Sequence, residues 1–138
     1  MKILVINGPN LNMLGKREPH IYGNATLEDL ECFIRDTFEN KIDIEFFQSN
    51  HEGAIIDKIH ASMGNFDGII LNPGAYTHYS YAIRDALEIL EVPKIEVHLS
   101  DIHAREEFRH ISVIQPVCTK QIAGYGAKGY IMAVDEIV

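Results

Sequence analysis

The 138 residues contain no tryptophan, only two cysteines, and no apolar run approaching the roughly 20 residues that span a bilayer. Cys32 and Cys118 stand alone, without a second thiol at metal-ligand spacing, so neither a disulfide framework nor a zinc ribbon is expected. Both are expected to be buried packing residues. Basic residues are scarce as well: 12 Lys and Arg face 20 Asp and Glu, a formal charge of -8. That charge repels nucleic acid and anionic lipid, and excludes neither fold nor enzyme. No internal repeat, low-complexity tract or linker divides the chain, and a single domain over 1–138 is expected. At the amino terminus Lys2 is followed by only four apolar residues and then a turn, which does not resemble a signal peptide. A soluble, cytoplasmic protein is the expectation.

What is present is a regular alternation of apolar runs and helical stripes. Ile3-Leu4-Val5-Ile6 is continuous, as in a parallel strand buried on both faces. Thr26 and Asp29 form a variant capping box before Leu27, Leu30, Phe33, Ile34 and Phe38, so a helix runs from about Thr26 to Glu39. Strands are predicted over Ile42–Gln48, Gly68–Asn72, Lys94–Leu99 and Val117–Ala123. Further helices carry Ala54 to Met63, Ala82 to Leu90 and Ala127 to Val138. A short helix capped by Asp101 would put Arg105 and Arg109 on one face. The pattern predicts an α/β three-layer sandwich, flavodoxin-like, with a five-stranded parallel sheet in the order 2-1-3-4-5 and helices on both faces.

Three polar segments fall at the carboxyl ends of predicted strands, where ligands of open α/β sheets bind. The first is the long stretch from Asn7 to Gly23. The second is Asn72-Pro73-Gly74-Ala75-Tyr76-Thr77-His78, and the third Glu96-Val97-His98-Leu99-Ser100. In the third, the strand period puts Glu96, His98 and Ser100 on one face, close enough for Glu96 to set the tautomer of His98. An unperturbed tyrosine, with a pKa near 10, is only about 0.1% phenolate at neutral pH, so Tyr22 needs a cation to serve as a base. Arg17 lies five residues before it. Read alone, Tyr22 also fits a packing tyrosine, and His98 a satisfied buried histidine. With so few cations overall, an anionic substrate would need a local cluster drawn from Arg17, Arg84, Arg105 and Arg109.

Other signals are weaker. Gly124-Tyr125-Gly126-Ala127-Lys128-Gly129 matches a dinucleotide fingerprint in letters, but it follows the last strand rather than the first and reads as a tight turn. The seven histidines show no helical pair with an intervening Glu and no close His-x-His, so no metal is expected. A Gly-x-Ser-x-Gly elbow is lacking, which argues against an ordinary α/β hydrolase.

Taken together, these segments resemble type II 3-dehydroquinate dehydratase. The motifs are Gly8-Pro9-Asn10-Leu11-Asn12 with Arg17-Glu18-Pro19 and Tyr22-Gly23; Gln48-Ser49-Asn50-His51-Glu52-Gly53; the Asn72–His78 and Glu96–Ser100 segments; and Arg105-Glu106 with Phe108-Arg109. They run in order through nearly the whole chain. The resemblance implies a lyase that converts 3-dehydroquinate to 3-dehydroshikimate without cofactor or metal, assembled as a homododecamer, a tetramer of trimers. It implies Tyr22 as base, Arg17 as its activator, and His98 as general acid oriented by Glu96. Asn12 would hold a water against the enolate oxygen. Asn72 with the Leu99 and Ser100 backbone would cradle the substrate carboxylate, His78 and Arg109 would bind hydroxyls, and Asp85 would reach a neighbouring subunit's site. Tyr79 and Asp101 depart from the family's common residues.

Overall fold

A computed structural model describes residues 1–16, 24–39 and 41–138. Five strands, β1 (Lys2–Asn7), β2 (Asp43–Gln48), β3 (Gly68–Asn72), β4 (Lys94–His98) and β5 (Lys120–Ala123), form one sheet in the order β2-β1-β3-β4-β5. Every neighbouring pair is parallel. Four α-helices cover it: α1 (Leu27–Phe38), α2 (Glu52–Ser62), α3 (Tyr81–Glu88) and α4 (Lys128–Ile137). This is the flavodoxin-like architecture the periodicity predicts.

The period of two along the strands sorts the core into two layers. Ile3, Val5, Ile70, Ile95, Val97 and Ile122 pack on one face with Leu30 and Ile34 of α1 and Tyr130, Ala133 and Val134 of α4. Leu4, Ile6, Ile69 and Leu71 pack on the other with Ile55 and Ile59 of α2 and Ile83 and Leu87 of α3. Fully burying one such side chain contributes about 1.5–3 kcal/mol, and both faces of β1 and β3 are shielded in this way.

The capping box at Thr26 is present in full: the hydroxyl accepts from the Asp29 amide at 3.1 Å, and the Asp29 carboxylate accepts from the Thr26 amide at 2.9 Å. Gly124 sits at φ +90° in the turn that follows β5, the left-handed region that favours glycine, so the glycine-rich stretch is a turn into α4. Gly8 answers a different demand. A β-carbon there would lie 2.8 Å from the Pro73 carbonyl oxygen, because the loops after β1 and β3 touch and the Gly8 amide donates to the Asn72 carbonyl at 2.7 Å.

Three sequence expectations need correction. The segment after β4 is not one helix but two single 3-10 turns, Ile102–Ala104 and Glu107–Arg109, separated by an extended Arg105. Asp101 does cap the first turn, accepting from the His103 amide at 2.9 Å, but the turn ends where Arg105 turns extended. The last strand begins at Lys120 rather than Val117, since Pro116 lacks a ladder donor and Gln115–Val117 closes a 3-10 turn instead. Cys32 is exposed on α1 rather than buried, and Cys118 is half-buried.

Candidate active site

The carboxyl ends of β1, β3 and β4 open onto a cavity of about 120 Å³, whose polar lining includes Asn10, Asn72, His78, His98, Ser100, Arg105 and Arg109. Leu11, Leu14 and Ile102 supply its apolar wall. The parallel register explains the convergence: Asn7 pairs with Asn72 at the ends of β1 and β3, so the loops that leave both strands start at one level. His98 ends β4 two strands away from β1. A wider, more apolar cleft borders the cavity and shares Leu14 and Leu99 with it, but carries neither His98 nor the arginines.

Beneath the cavity floor Glu96 is fully buried, and His98 is 6% exposed. The ring Nε2 of His98 lies 2.5 Å from Glu96 Oε2. Three more donors converge on the same carboxylate: the Thr77 hydroxyl at 2.5 Å, the Ser112 hydroxyl at 2.9 Å from both oxygens, and the Gln121 amide at 3.2 Å. Burial works against the charge of Glu96, yet the hydrogen bond and charge of His98, joined by the two hydroxyls, outweigh it and hold the carboxyl below its usual range. Glu96 is therefore a permanent anion at neutral pH, and the ring that leans on it donates from Nε2 and turns Nδ1 away from the carboxylate.

Asn72, 3% exposed, is held from two sides. Its Oδ1 accepts from the Gly74 amide at 3.1 Å, and its Nδ2 donates to the Tyr130 hydroxyl at 3.0 Å, which itself donates to Asn7 Oδ1 at 2.6 Å. With Oδ1 and one Nδ2 hydrogen engaged, a second Nδ2 hydrogen is left for an acceptor in the cavity. His78 is anchored through Nδ1 to the Ile111 carbonyl at 2.8 Å. Partial burial, together with the neighbouring His98 ring and the Arg109 guanidinium, lowers its pKa against the pull of that carbonyl. Arg109 pairs with Glu106 and stacks over the Phe108 ring, which steadies the guanidinium at the cavity wall.

Seven of the candidate site residues singled out in the sequence thus line one cavity: Asn72, His78, His98, Leu99, Ser100, Arg105 and Arg109. Glu96 supports His98 from below. Ser100 lies beyond the end of β4, so it reaches the cavity from the following loop rather than by strand alternation. Asn12 sits exposed on the 3-10 turn Leu11–Met13 and is not part of the cavity lining, and Asp85 is exposed on α3. Arg84 points elsewhere, its guanidinium 3.4 Å from the Val113 carbonyl. Arg17 and Tyr22 lie outside the described residues. Ser112, Gln121 and Tyr130 belong to none of the sequence motifs. The one signal that could have revealed them is the demand of a buried Glu, and of buried strand-end asparagines, for partners.

The doubly wound parallel sheet, with a histidine backed by a buried carboxylate at its carboxyl edge, places this chain among α/β proteins with a candidate active site at that edge. Comparison with known proteins makes the class specific. Residues 1–138 match the family model described as dehydroquinase class II. The 3-dehydroquinate dehydratase of Thermotoga neapolitana is 60% identical over 138 residues, covering 99% of this chain and 94% of that protein. That of Caldicellulosiruptor bescii is 63% identical over 134 residues, 96% of this chain and 92% of that protein. The crystal structure of type II dehydroquinase from Butyrivibrio crossotus superimposes with a TM-score of 0.96 at 62% identity, covering 99% of this chain and 97% of that one. This chain belongs to the class II dehydroquinase family.

Proposed function

We propose that this chain dehydrates 3-dehydroquinate to 3-dehydroshikimate, the shikimate-pathway step, by elimination through an enolate, with Tyr22 as base and His98 as general acid. The observation that carries the reading is the His98–Glu96 pair under an arginine-lined cavity in a chain of this family. Tyr22 takes the proton alpha to the ketone, and the electron pair moves onto the ketone oxygen as an enolate. When the enolate collapses, a carbon–carbon double bond forms, the C1–oxygen bond breaks, and the proton held by His98 leaves with that oxygen as water. No net oxidation occurs, and the balance needs neither redox cofactor nor metal.

Arg17 favours the phenolate form of Tyr22. Asn12 holds a water whose hydrogen bond to the enolate oxygen strengthens as charge develops. Asn72, with the backbone at Leu99 and Ser100, takes the substrate carboxylate, which suits the Nδ2 hydrogen that Tyr130 leaves over. His78 and Arg109 take the hydroxyls. Asp85, exposed on α3, reaches a neighbouring subunit's site in a cytoplasmic homododecamer built from trimers.

The test is direct: incubate desalted, chelator-treated protein with 3-dehydroquinate and follow the ultraviolet absorbance of the conjugated enone. Growth of the signal in the wild type and its loss in Tyr22→Phe, with substrate binding retained, is the expected result. Turnover near normal in Tyr22→Phe would remove Tyr22 from the base role, and silence from the folded wild type would sink the reaction itself.

A further inference from the structure

We infer that Ser112, together with Thr77, is a positioning residue that locks Glu96 in its charged form and so confines the hydrogen of neutral His98 to Nε2, reserving Nδ1 for the proton delivered to substrate. The inference rests on the reading of His98 as general acid.

The argument is a count of hydrogens. The Ser112 hydroxyl oxygen accepts two backbone hydrogens, from Ile114 at 3.2 Å and Gln115 at 3.0 Å. Both lone pairs are then occupied, and Ser112 can act only as a donor toward the remaining neighbours. Those neighbours are the two Glu96 oxygens and the Thr77 hydroxyl, 2.7 Å away. Whether the Ser112 hydrogen goes to Glu96 directly or to Thr77, the Thr77 hydrogen must go to Glu96, since Ser112 has no lone pair left to receive it. In either case the Thr77 hydroxyl donates to the carboxylate, Ser112 donates to it directly or through Thr77, and the Gln121 amide adds another hydrogen. A protonated Glu96 would have no acceptor for its proton except His98 itself. The anion in turn requires His98 Nε2 to be a donor. A histidine so held, with Nε2 engaged by Glu96, can deliver a proton only from Nδ1.

The surrounding groups fit. Ser112 is 8% exposed and Thr77 fully buried, so water does not compete for these bonds. The segment that carries Ser112 is fastened to the turn that carries Thr77 through the Val113 amide, which donates to the Thr77 carbonyl at 2.7 Å. Of the other titratable groups around the pair, His78 has its pKa lowered chiefly by partial burial. The Cys118 thiol is pushed up to about 12 by burial and by the Glu96 charge, so it stays neutral. Lys94 stands at the start of β4, its ammonium donating to the Leu87 and Leu90 carbonyls, and Arg105 and Arg109 line the cavity above.

Two readouts test the inference separately from the reaction. Nitrogen-15 shifts of the His98 ring in ligand-free protein at alkaline pH report its tautomer, and steady-state kinetics report kcat and KM. In wild type the ring is expected as the Nε2–H form. Ser112→Ala and the isosteric Thr77→Val are expected to show mixed tautomers and a kcat lowered about tenfold or more, with KM within about twofold. Thr77→Ser, which keeps the hydroxyl, should restore both. A ring that stays Nε2–H in both hydroxyl-deleted variants overturns the inference, whether or not kcat falls. A ring that becomes mixed while kcat holds keeps the inference and removes His98 from the acid role. Thr77→Val carries the test if Ser112→Ala does not fold.

Discussion

Two buried polar networks meet at the same sheet edge and differ in kind. Around Glu96, four donors from β4, β5, the turn before α3 and the segment between the Glu107–Arg109 and Gln115–Val117 turns converge on one charge. Around Tyr130, Asn7 and Asn72 from adjacent strands share one neutral hydroxyl from α4. Burial pushes that phenol above its ordinary value, so it keeps its hydrogen across the physiological range. Anionic Glu96 holds an imidazole ring, whereas the neutral hydroxyl holds a side-chain amide. One network is built around a charge and the other around a neutral hydrogen-bond relay.

Breaking the charged network should have the largest effect. Glu96→Ala leaves His98, Thr77, Ser112 and Gln121 facing a void, and a loss of about 3–5 kcal/mol in urea denaturation is expected from removing one partner of a buried pair. A loss below about 1 kcal/mol would mean that water fills the gap and the network is worth little to the fold. The neutral network should break more gently. Tyr130→Phe keeps the packing of α4 but strands Asn7 Oδ1 and one hydrogen of Asn72, with an expected cost of about 1–3 kcal/mol. If Asn72 binds the substrate carboxylate, KM should rise more than kcat falls, and the opposite split would move Asn72 into the chemical step.

The smallest effect sharpens the contrast through pH. Unfolded, Glu96 takes up its proton near the ordinary value of 4.5, and folded it does so at lower pH. Below 4.5 the unfolded chain therefore binds more protons, so this group's contribution is present in full above that pH and fades as pH falls through the folded value. The stability gap between wild type and Glu96→Gln should narrow over that window, while the gap between wild type and Tyr130→Phe should stay flat. Parallel behaviour of the two gaps would show that Glu96 titrates no differently in the fold.

The comparison also marks what could be read in advance. Apolar runs and helical stripes located all five strands and four helices, because two-sided burial of β1 and β3 leaves an unbroken hydrophobic signature. The Glu96–His98 contact was legible because a period of two leaves no other face for those side chains. The division after β4 was not, since the Arg105–Arg109 spacing suits a helix and only the backbone shows two single turns. Nor was the role of Ser112, 16 residues from Glu96 in a segment without periodicity.

By itself the sequence determined the layer order of the fold, the strand ends at which a site would form, and the family to which the motifs point, because hydrophobic period and motif spacing are local properties of the chain. Only the tertiary structure decided which hydroxyls hold Glu96 charged, which phenol orients Asn72, and which of the arginines face the cavity. Those are contacts between residues up to 123 positions apart, and they exist only once parallel strands bring their carboxyl ends to one edge.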